Sequence, residues 1–277
     1  MTLDLHAQWL SSLAELRYVR TPKRLQARAE GDLVLDTSDA LLVWEPRRVV
    51  PQYAVPPQHL KLDLVELSRR EAPAGLPPAM GPRDFATHTC PGTPLATLAG
   101  SAPAVEVAFR PDDATLGGRV VLDFERFEWT EEDEPVMGHP HDPFKRIDVL
   151  RSSRHVVVRL GQTVLAESRR ARALVETSLP VRWYLPPDDV RMDLLTPSAT
   201  HTVCAYKGVA SYLSAGLEGG EDIAWSYPDP LHDALPVRDL VAFWSERTHT
   251  TVDGELLAGR MPPEGPASTG VGSGRAS

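Results

Sequence analysis

The chain has few of the residues that metal sites, disulfide frameworks and membrane spans require. Its 277 residues include two cysteines, Cys90 and Cys204, which cannot form a four-cysteine zinc site and would stay reduced in a cytosolic protein. No window approaches the roughly 18 consecutive apolar residues of a membrane-spanning helix. Asp4 and His6 stand where a secretory signal would have a basic and then an apolar region. We therefore expect a cytoplasmic protein without a metal, a cofactor or a membrane partner.

Positive charge is also scarce, and lysine especially so. The net charge of -9 argues against nucleic acid as the main partner, because binding to the phosphate backbone draws on clustered positive charge. Of the 29 basic residues only four are lysines, and Lys207 is one of them. Lysine can lose its proton when buried and then act as a nucleophile or base, whereas arginine stays charged. Lys207 is therefore a candidate functional residue, with an ordinary surface lysine as the alternative.

What the chain does contain is an internal repeat at an offset of 130 residues. The segment "GDLVLDTS" (31–38) aligns with "GQTVLAES" (161–168). Without a gap, "VPPQHLKLDL" (55–64) then aligns with "LPPDDVRMDL" (185–194). This period is far longer than the roughly 20 to 50 residues of a solenoid repeat. The repeat therefore predicts two related domains.

Each copy is predicted to be mainly β, because short runs rich in β-branched and aromatic residues alternate with Gly, Pro or Asp. Apolar residues at three- and four-residue steps in "LHAQWLSSLAELR" (5–17) predict one N-terminal helix that packs on the first domain. We predict a first, degenerate copy over residues 1–125, a second copy over 126–256 and a disordered tail over 257–277, whose composition is rich in small residues, Pro and Gly.

The stretch "TVCAYKGVASY" (202–212) carries the most reactive group types. If residues 201–206 form a strand, alternation puts Cys204 and Tyr206 on one face. Lys207 then leaves the strand before Gly208, where the backbone can turn or approach a ligand closely. A nearby ammonium would favour a Cys204 thiolate, although a cysteine in a strand also occurs as a small buried hydrophobe. Lys207, Cys204 and Tyr206 are the candidate catalytic residues.

Aromatic and cationic residues of the second copy converge on the same region. By alternation Arg182 and Tyr184 share a face of one strand, and Trp225 and Tyr227 share a face of another. Such a group suits a planar or anionic small molecule, and ordinary core packing is the alternative. The predicted ligand-binding residues are Arg182, Tyr184, Tyr206, Lys207, Gly208, Tyr212, Trp225 and Tyr227.

Two weaker candidates lie between the copies. His139, His141 and Asp142 have a spacing that suits a proline-ordered loop better than a metal site. The acidic stretch "EWTEEDEP" (128–135) is interpreted as a solvated lead-in to the second copy. The chain has neither a glycine-rich phosphate loop nor a Gly-x-Ser-x-Gly elbow.

Three segments of the second copy together resemble the bacterial family called domain of unknown function 427. They are "YLPPDDV" (184–190), "CAYKGVASY" (204–212) and "AWSYPDP" (224–230), in this order and at these separations. The stretch over 131–156 also resembles the segment that opens the second copy in tandem members of the family. The resemblance covers about residues 125–245 well and the first copy only loosely.

The resemblance implies a small antiparallel β domain of the tent-like kind related to Mss4 folds. It carries over as motif residues Tyr184, Cys204, Tyr206, Lys207, Gly208, Tyr212, Trp225 and Tyr227. Ala205 departs from the family pattern, which usually has a proline between the cysteine and the tyrosine. The family is sometimes labelled nucleotidyltransferase-like, but the residues supply no independent support for that reaction.

Three hypotheses for the function follow. The leading hypothesis is that the second domain binds a small polar or anionic ligand of unknown identity, with the first copy as a scaffold. The second is an enzyme in which Lys207 or Cys204 acts as a nucleophile or base and a tyrosine as an acid. The third is a protein-interaction module that uses exposed strand edges.

Overall fold

The computed structural model describes residues 2, 4–81, 85–97 and 105–257. Contacts within the chain divide it into two units, Met1–Asp142 and Pro143–Ser277. Within the described residues each unit has one seven-stranded and one four-stranded sheet, and every strand pair in them is antiparallel. The predictions of a mainly β protein and of two tandem β domains are confirmed. No helix in the described part of the chain is long and apolar enough to cross a membrane.

The first unit begins with helix α1 and continues almost entirely as strands. Its elements are α1 (Leu5–Ser12), β1 (Arg17–Thr21), β2 (Leu25–Ala29), β3 (Asp32–Thr37), β4 (Ala40–Trp44), β5 (Gln52–Val55), β6 (Leu64–Glu66), β7 (Gly92–Thr97), β8 (Val105–Pro111), β9 (Val120–Leu122), β10 (Glu128–Glu131) and β11 (Glu134–Val136).

The second unit has no α-helix in its described residues. Its strands are β12 (Ile147–Arg151), β13 (Val156–Leu160), β14 (Thr163–Ser168), β15 (Arg172–Glu176), β16 (Arg182–Leu185), β17 (Leu195–Cys204), β18 (Gly208–Ala215), β19 (Ala224–Ser226), β20 (Val241–Phe243), β21 (His249–Val252) and β22 (Glu255–Leu256).

The two units have the same strand order. The first large sheet runs β1-β4-β5-β9-β8-β7-β6, and the second runs β12-β15-β16-β20-β19-β18-β17. The smaller sheets, β11-β10-β2-β3 and β14-β13-β21-β22, correspond when one of them is read in reverse. The repeat in the sequence is therefore a repeat of topology.

The acidic stretch over 128–135 belongs to the first unit, so its interpretation as a solvated lead-in to the second copy is wrong. Strand β10 pairs with β2, and Trp129 lies in the core of the first unit. Glu131 is buried and accepts a hydrogen bond of 2.8 Å from the Tyr53 hydroxyl. Alternation turns these two side chains inward and leaves the other acids outside. The units divide after Asp142, whereas the sequence comparison started the second copy at residue 126.

Helix α1 is shorter than the segment 5–17 predicted to be helical. It ends at Ser12, and the hydroxyl of that serine donates to the Trp9 carbonyl oxygen at 2.7 Å. Leu13 is buried, whereas Leu5 is exposed. Of the predicted apolar face, Leu13 is thus buried just beyond the end of the helix. The predicted disordered tail lies outside the described residues except for Leu257.

The large sheet of the second unit has an apolar layer on each face. Trp183 and Leu185 of β16 belong to one buried cluster, together with residues of β13 and β14. Tyr184, between them, belongs to a second cluster that includes Ala234 and Val237 of the 3-10 helix His232–Val237. Period-two alternation along β16 thus sends successive side chains into different layers. Four of the predicted aromatic residues lie in this second layer: Tyr184, Tyr212, Trp225 and Tyr227.

Candidate functional site

Four of the predicted binding residues form one group, which we call the aromatic cluster: Tyr184, Tyr212, Trp225 and Tyr227. The Trp225 indole N–H donates to the Tyr184 hydroxyl at 3.1 Å, and the two rings meet edge to face with centroids 6.4 Å apart. Tyr227 lies 6.5 Å from Tyr184, and Tyr212 lies 6.3 Å from Trp225, measured between ring centroids. The Tyr212 hydroxyl is 3.2 Å from the Thr202 hydroxyl.

The aromatic cluster is a packed layer, because all four side chains are buried. Burial raises the pKa of Tyr184 to about 12, and it also raises the pKa values of Tyr212 and Tyr227. The phenols are therefore neutral at physiological pH. The hydroxyl groups of Tyr184 and Tyr212 take part in hydrogen bonds within the layer.

Arg182 is fully engaged by its neighbours. Its guanidinium makes two hydrogen bonds of 2.8 Å to the Glu246 carboxylate and one of 3.0 Å to the Ser245 hydroxyl. It also lies over the rings of Trp225 and Trp244, 5.8 and 5.2 Å from their centroids. The carboxylate of Glu246 neutralises the charge of the guanidinium, and the two indole rings cover its face. Arg182 therefore holds the edge of the aromatic cluster in place.

The predicted lysine lies in a second group, the lysine cluster, formed by Lys145, Glu176 and Lys207. The Lys207 ammonium is 2.5 Å from one Glu176 carboxylate oxygen, and the Lys145 ammonium is 3.7 Å from the other. The Glu176 side chain is 7% exposed and that of Lys207 is 12% exposed. Two cations therefore share one buried carboxylate.

Curvature of the large sheet brings this pair together. Lys207 directly precedes β18, and Glu176 ends β15. Four strand steps separate β15 from β18 in the sheet order, which in a flat sheet would amount to about 19 Å. A direct contact at 2.5 Å requires the sheet to curl around the aromatic cluster. The lysine cluster thus links the end of β15 to the turn before β18.

The charge state of Lys207 follows from its surroundings. Burial alone would lower its pKa, but the neighbouring Cys204 and Glu176 outweigh that effect, so the pKa of Lys207 is raised. Tyr184 contributes in the same direction. Lys207 is therefore an ammonium ion at neutral pH.

The turn between β17 and β18 contains the remaining predicted residues. Strand β17 ends at Cys204, so the predicted strand over 201–206 is two residues too long, and Tyr206 lies buried in the turn. Cys204 is half-buried at the strand end. Gly208 begins β18 with a φ of +94°. The Lys207 carbonyl oxygen accepts a 3.1 Å hydrogen bond from the Leu231 amide, which ties this turn to the chain beyond β19.

Gly208→Ala should destabilise the second domain by about 1 to 3 kcal/mol. A Cβ at this position would lie 3.3 Å from the Asp229 carbonyl oxygen and 3.4 Å from the Leu231 amide nitrogen, in addition to the unfavourable φ. Gly161→Ala is the matched control, because Gly161 also has a positive φ but has no atom within 4 Å of such a Cβ. Urea unfolding of both variants measures the difference. An equal loss in the two would show that the contacts at Gly208 contribute nothing.

Glu176 and Lys145 were missed by the sequence reasoning, although the repeat contains a signal for Glu176. Ala54 pairs with Leu41 and Tyr184 pairs with Arg172, and Ala54 and Tyr184 are aligned by the repeat. Counting along β4 and β15 from these pairs places Glu45 level with Glu176. Both carboxylates are buried, so the acid is common to the two copies.

In the first copy the buried acid has different partners. The Glu45 carboxylate accepts from the Thr89 amide at 2.8 Å and is 3.1 Å from His88 Nδ1 and 3.8 Å from Cys90 Sγ. Burial, and then the proximity of Glu45, raise the pKa of the Cys90 thiol. The first copy thus keeps the acid and replaces the lysine by a backbone amide and an imidazole.

The lining of the described surface cavities includes no member of either cluster, although Arg172 of one cavity pairs with Tyr184 in the sheet. One, of about 670 Å³, belongs to the first unit and is lined by residues that include Phe85, Val105 and Glu106. The other, of about 530 Å³, belongs to the second unit and is lined by Arg151, Ser152, Ser153, Arg170 and Arg172. The second cavity was not predicted from the sequence.

Comparison with known families assigns the second unit. Residues 148–254 match the family model NTP_transf_9, described as Domain of unknown function (DUF427). The second unit is a DUF427 domain. This match confirms the resemblance drawn from the sequence motifs, and its range contains Glu176 and Lys207 but not Lys145. No curated protein matches the chain.

Proposed function

We propose that the DUF427 domain binds a small anion at the lysine cluster. The observation that carries this proposal is that two ammonium groups, those of Lys145 and Lys207, share the single carboxylate of Glu176. The cluster therefore has an excess of one positive charge in a largely desolvated place, where an anion gains more from the interaction than it would in water. This hypothesis refines the polar or anionic ligand expected from the sequence.

The charge of Lys207 favours binding over catalysis by this residue. A lysine that acts as a nucleophile or base needs a lowered pKa, whereas the pKa of Lys207 is raised. The name of the family model suggests nucleotidyl transfer, which commonly relies on carboxylates that hold metal ions. Glu176 is already engaged by two ammonium groups, so this geometry favours anion binding.

The size of the ligand follows from the burial of the cluster. The side chain of Lys145 is 24% exposed and that of Lys207 is 12% exposed, which leaves limited access to the two ammonium groups. Cys204, which is half-buried, and the phenol of Tyr184 are polar neighbours of Lys207 on the aromatic side. We therefore expect a compact anion, such as a short carboxylate or an inorganic oxyanion.

A thermal-shift panel of small anions tests the proposal on the full chain. Wild-type protein should gain melting temperature with at least one compact anion, Lys207→Arg should retain most of that gain, and Lys207→Met should lose it. In the methionine variant Lys145 still pairs with Glu176, which favours folding. Lys61→Met, at an exposed lysine of the first domain, is the matched control. A gain that persists in Lys207→Met, or an unchanged melting temperature across the panel, would count against the proposal.

A further inference from the structure

We propose that the cavity lined by Arg151, Ser152, Ser153, Arg170 and Arg172, the arginine groove, binds a phosphate-bearing small molecule. The groove has a volume of about 530 Å³, and its lining contains three guanidinium groups, two hydroxyl groups and no carboxylate. In a chain with a net charge of -9, this is a local reversal of charge. The groove shares no lining residue with the lysine cluster.

Two of the arginines stand directly opposite each other. Arg151 of β12 pairs with Arg172 of β15 in the antiparallel ladder, so their side chains leave the same face of the sheet. Like charges in this arrangement destabilise a sheet. Among the described residues neither guanidinium has an ion pair within 4.0 Å, whereas the neighbouring Arg146 and Arg154 pair with aspartates. An anion between Arg151 and Arg172 would remove the repulsion.

The third arginine is held in a fixed position. Arg170 makes hydrogen bonds of 2.5 and 3.2 Å to the two carboxylate oxygens of Asp189. This pair neutralises the charge of Arg170 and orients its guanidinium beside the groove. The uncompensated charge of the groove is therefore the two positive charges of Arg151 and Arg172, which a dianion would balance.

The serines of the groove add neutral hydrogen-bond donors. The Ser152 hydroxyl oxygen accepts a 3.2 Å hydrogen bond from the Arg154 amide, and its own proton is then available to a ligand. The Ser152 amide donates to the Ala171 carbonyl oxygen at 3.0 Å, which fixes the loop after β12 against the start of β15. Arginine forks and hydroxyl donors together are typical of phosphate recognition. The volume exceeds that of a phosphate group, so the ligand can be a phosphate ester or diphosphate.

The first domain offers an internal contrast. Arg20 pairs with Leu41 in the ladder of β1 and β4, at the place that Arg151 and Arg172 occupy in the second domain. Asp39 stands level with Arg170 and forms ion pairs with Arg20 and Arg119. An apolar residue and an acid thus replace two of the three arginines. The repeat kept the strand pair without the anion groove, so the arginines are not a requirement of the fold.

Calorimetric titration of the full chain with inorganic pyrophosphate at low ionic strength tests the proposal. We expect the wild-type protein to bind, and the double variant Arg151→Ala, Arg172→Ala to bind about tenfold more weakly or worse, because two charge-assisted contacts are lost. Arg20→Ala is the matched control and should bind like the wild type. Lys207→Met should also bind like the wild type, which separates this site from the lysine cluster.

A second measurement, of the melting temperature, tests whether the double variant is folded. Arg151 is exposed and Arg172 is half-buried. Removal of like charges that face each other should leave the melting temperature of the double variant without pyrophosphate equal to that of the wild type or above it. Pyrophosphate should raise the melting temperature of the wild type and should leave that of the double variant unchanged. The proposal is overturned if the wild type binds no pyrophosphate, if the double variant binds equally well, or if Lys207→Met abolishes binding.

Discussion

Glu176→Gln is expected to destabilise the second domain by about 3 to 5 kcal/mol, the cost of breaking a buried ion pair by removing one partner. Glutamine keeps the shape of the side chain and an acceptor oxygen, so the decrease in stability measures the effect of the missing charge. Lys207, which is 12% exposed, would then hold an ammonium among the phenols of the aromatic cluster without a counter-charge. The variant should lower the pKa of Lys207, because Glu176 is one of the groups that raise it.

The pH dependence of this loss has a definite sign. The pKa of Lys207 is raised in the folded protein, so its contribution to stability is present in full below the unfolded pKa of about 10.4. That contribution is lost as the pH rises through the higher folded value. The difference between wild type and Glu176→Gln should therefore be constant across neutral pH and should shrink only under alkaline conditions.

Urea unfolding, with hydrogen exchange of amides in β15 and β18 to assign the transition to the second domain, measures this effect. Asp193→Asn is the control, because its ion pair with Arg191 is exposed, at 57% and 62% for the two side chains. Removal of such a pair costs about 1 kcal/mol or less. If Glu176→Gln cost no more than this control, the buried pair would have no stabilising role.

The assignment of side chains to the two faces of a strand could be predicted from the sequence, because it depends only on local alternation. In "VRWYL" (181–185) the pattern predicts Arg182 and Tyr184 on one face, and the structure places Trp183 and Tyr184 in different layers. The repeat likewise predicts two domains, because matched positions in two segments need no knowledge of long-range contacts. Both predictions therefore rest on the order of residues along the chain and need no information about contacts between distant strands.

The contact between Glu176 and Lys207 could not be predicted in this way. It depends on the curl of a seven-stranded sheet, which sets the distance between residues on strands that do not pair. Lysine scarcity pointed to Lys207 and applied equally to Lys145, but only the fold shows that the two share an acid. The scarcity of lysine thus identified candidate residues, whereas the contact between Lys207 and Glu176 depends on the curvature of the sheet.

The similarity of "HTC" (88–90) to "HTVC" (201–204) would align Cys90 with Cys204, and the strand register corrects that alignment. Thr93 pairs with Arg110, and Ser211 pairs with Ser226, with Phe109 and Trp225 at equivalent places. Counting back from these pairs puts Cys90 level with Gly208. Thr89, whose amide binds Glu45, is then level with Lys207, which binds Glu176. The shared feature of the copies is the buried acid and the turn that binds it.

Trp225→Ala should cost about 3 to 5 kcal/mol, as expected for removal of a large buried aromatic side chain. Its ring contacts Tyr184, Tyr212 and Trp244, the last with centroids 4.7 Å apart. Leu150→Ala, at an exposed position of the same unit, should stay within about 0.5 kcal/mol. Urea unfolding followed by amide exchange in β16 and β19 measures both. A loss of 1 kcal/mol or less for Trp225→Ala would show that the aromatic layer is poorly packed.

The hydrogen bond from Trp225 to Tyr184 makes a sharper test through a double-mutant cycle. Trp225→Phe mimics Phe109 of the first copy and leaves the buried Tyr184 hydroxyl without its donor at 3.1 Å, which should cost about 1 to 3 kcal/mol beyond the smaller ring. Tyr184→Phe strands the indole N–H in the same way. Removal of both polar partners leaves neither group unsatisfied, so the double variant should lose less than the sum of the single losses by about 1 kcal/mol. Additive losses would mean that the two groups find other partners and that the aromatic cluster is held by packing alone.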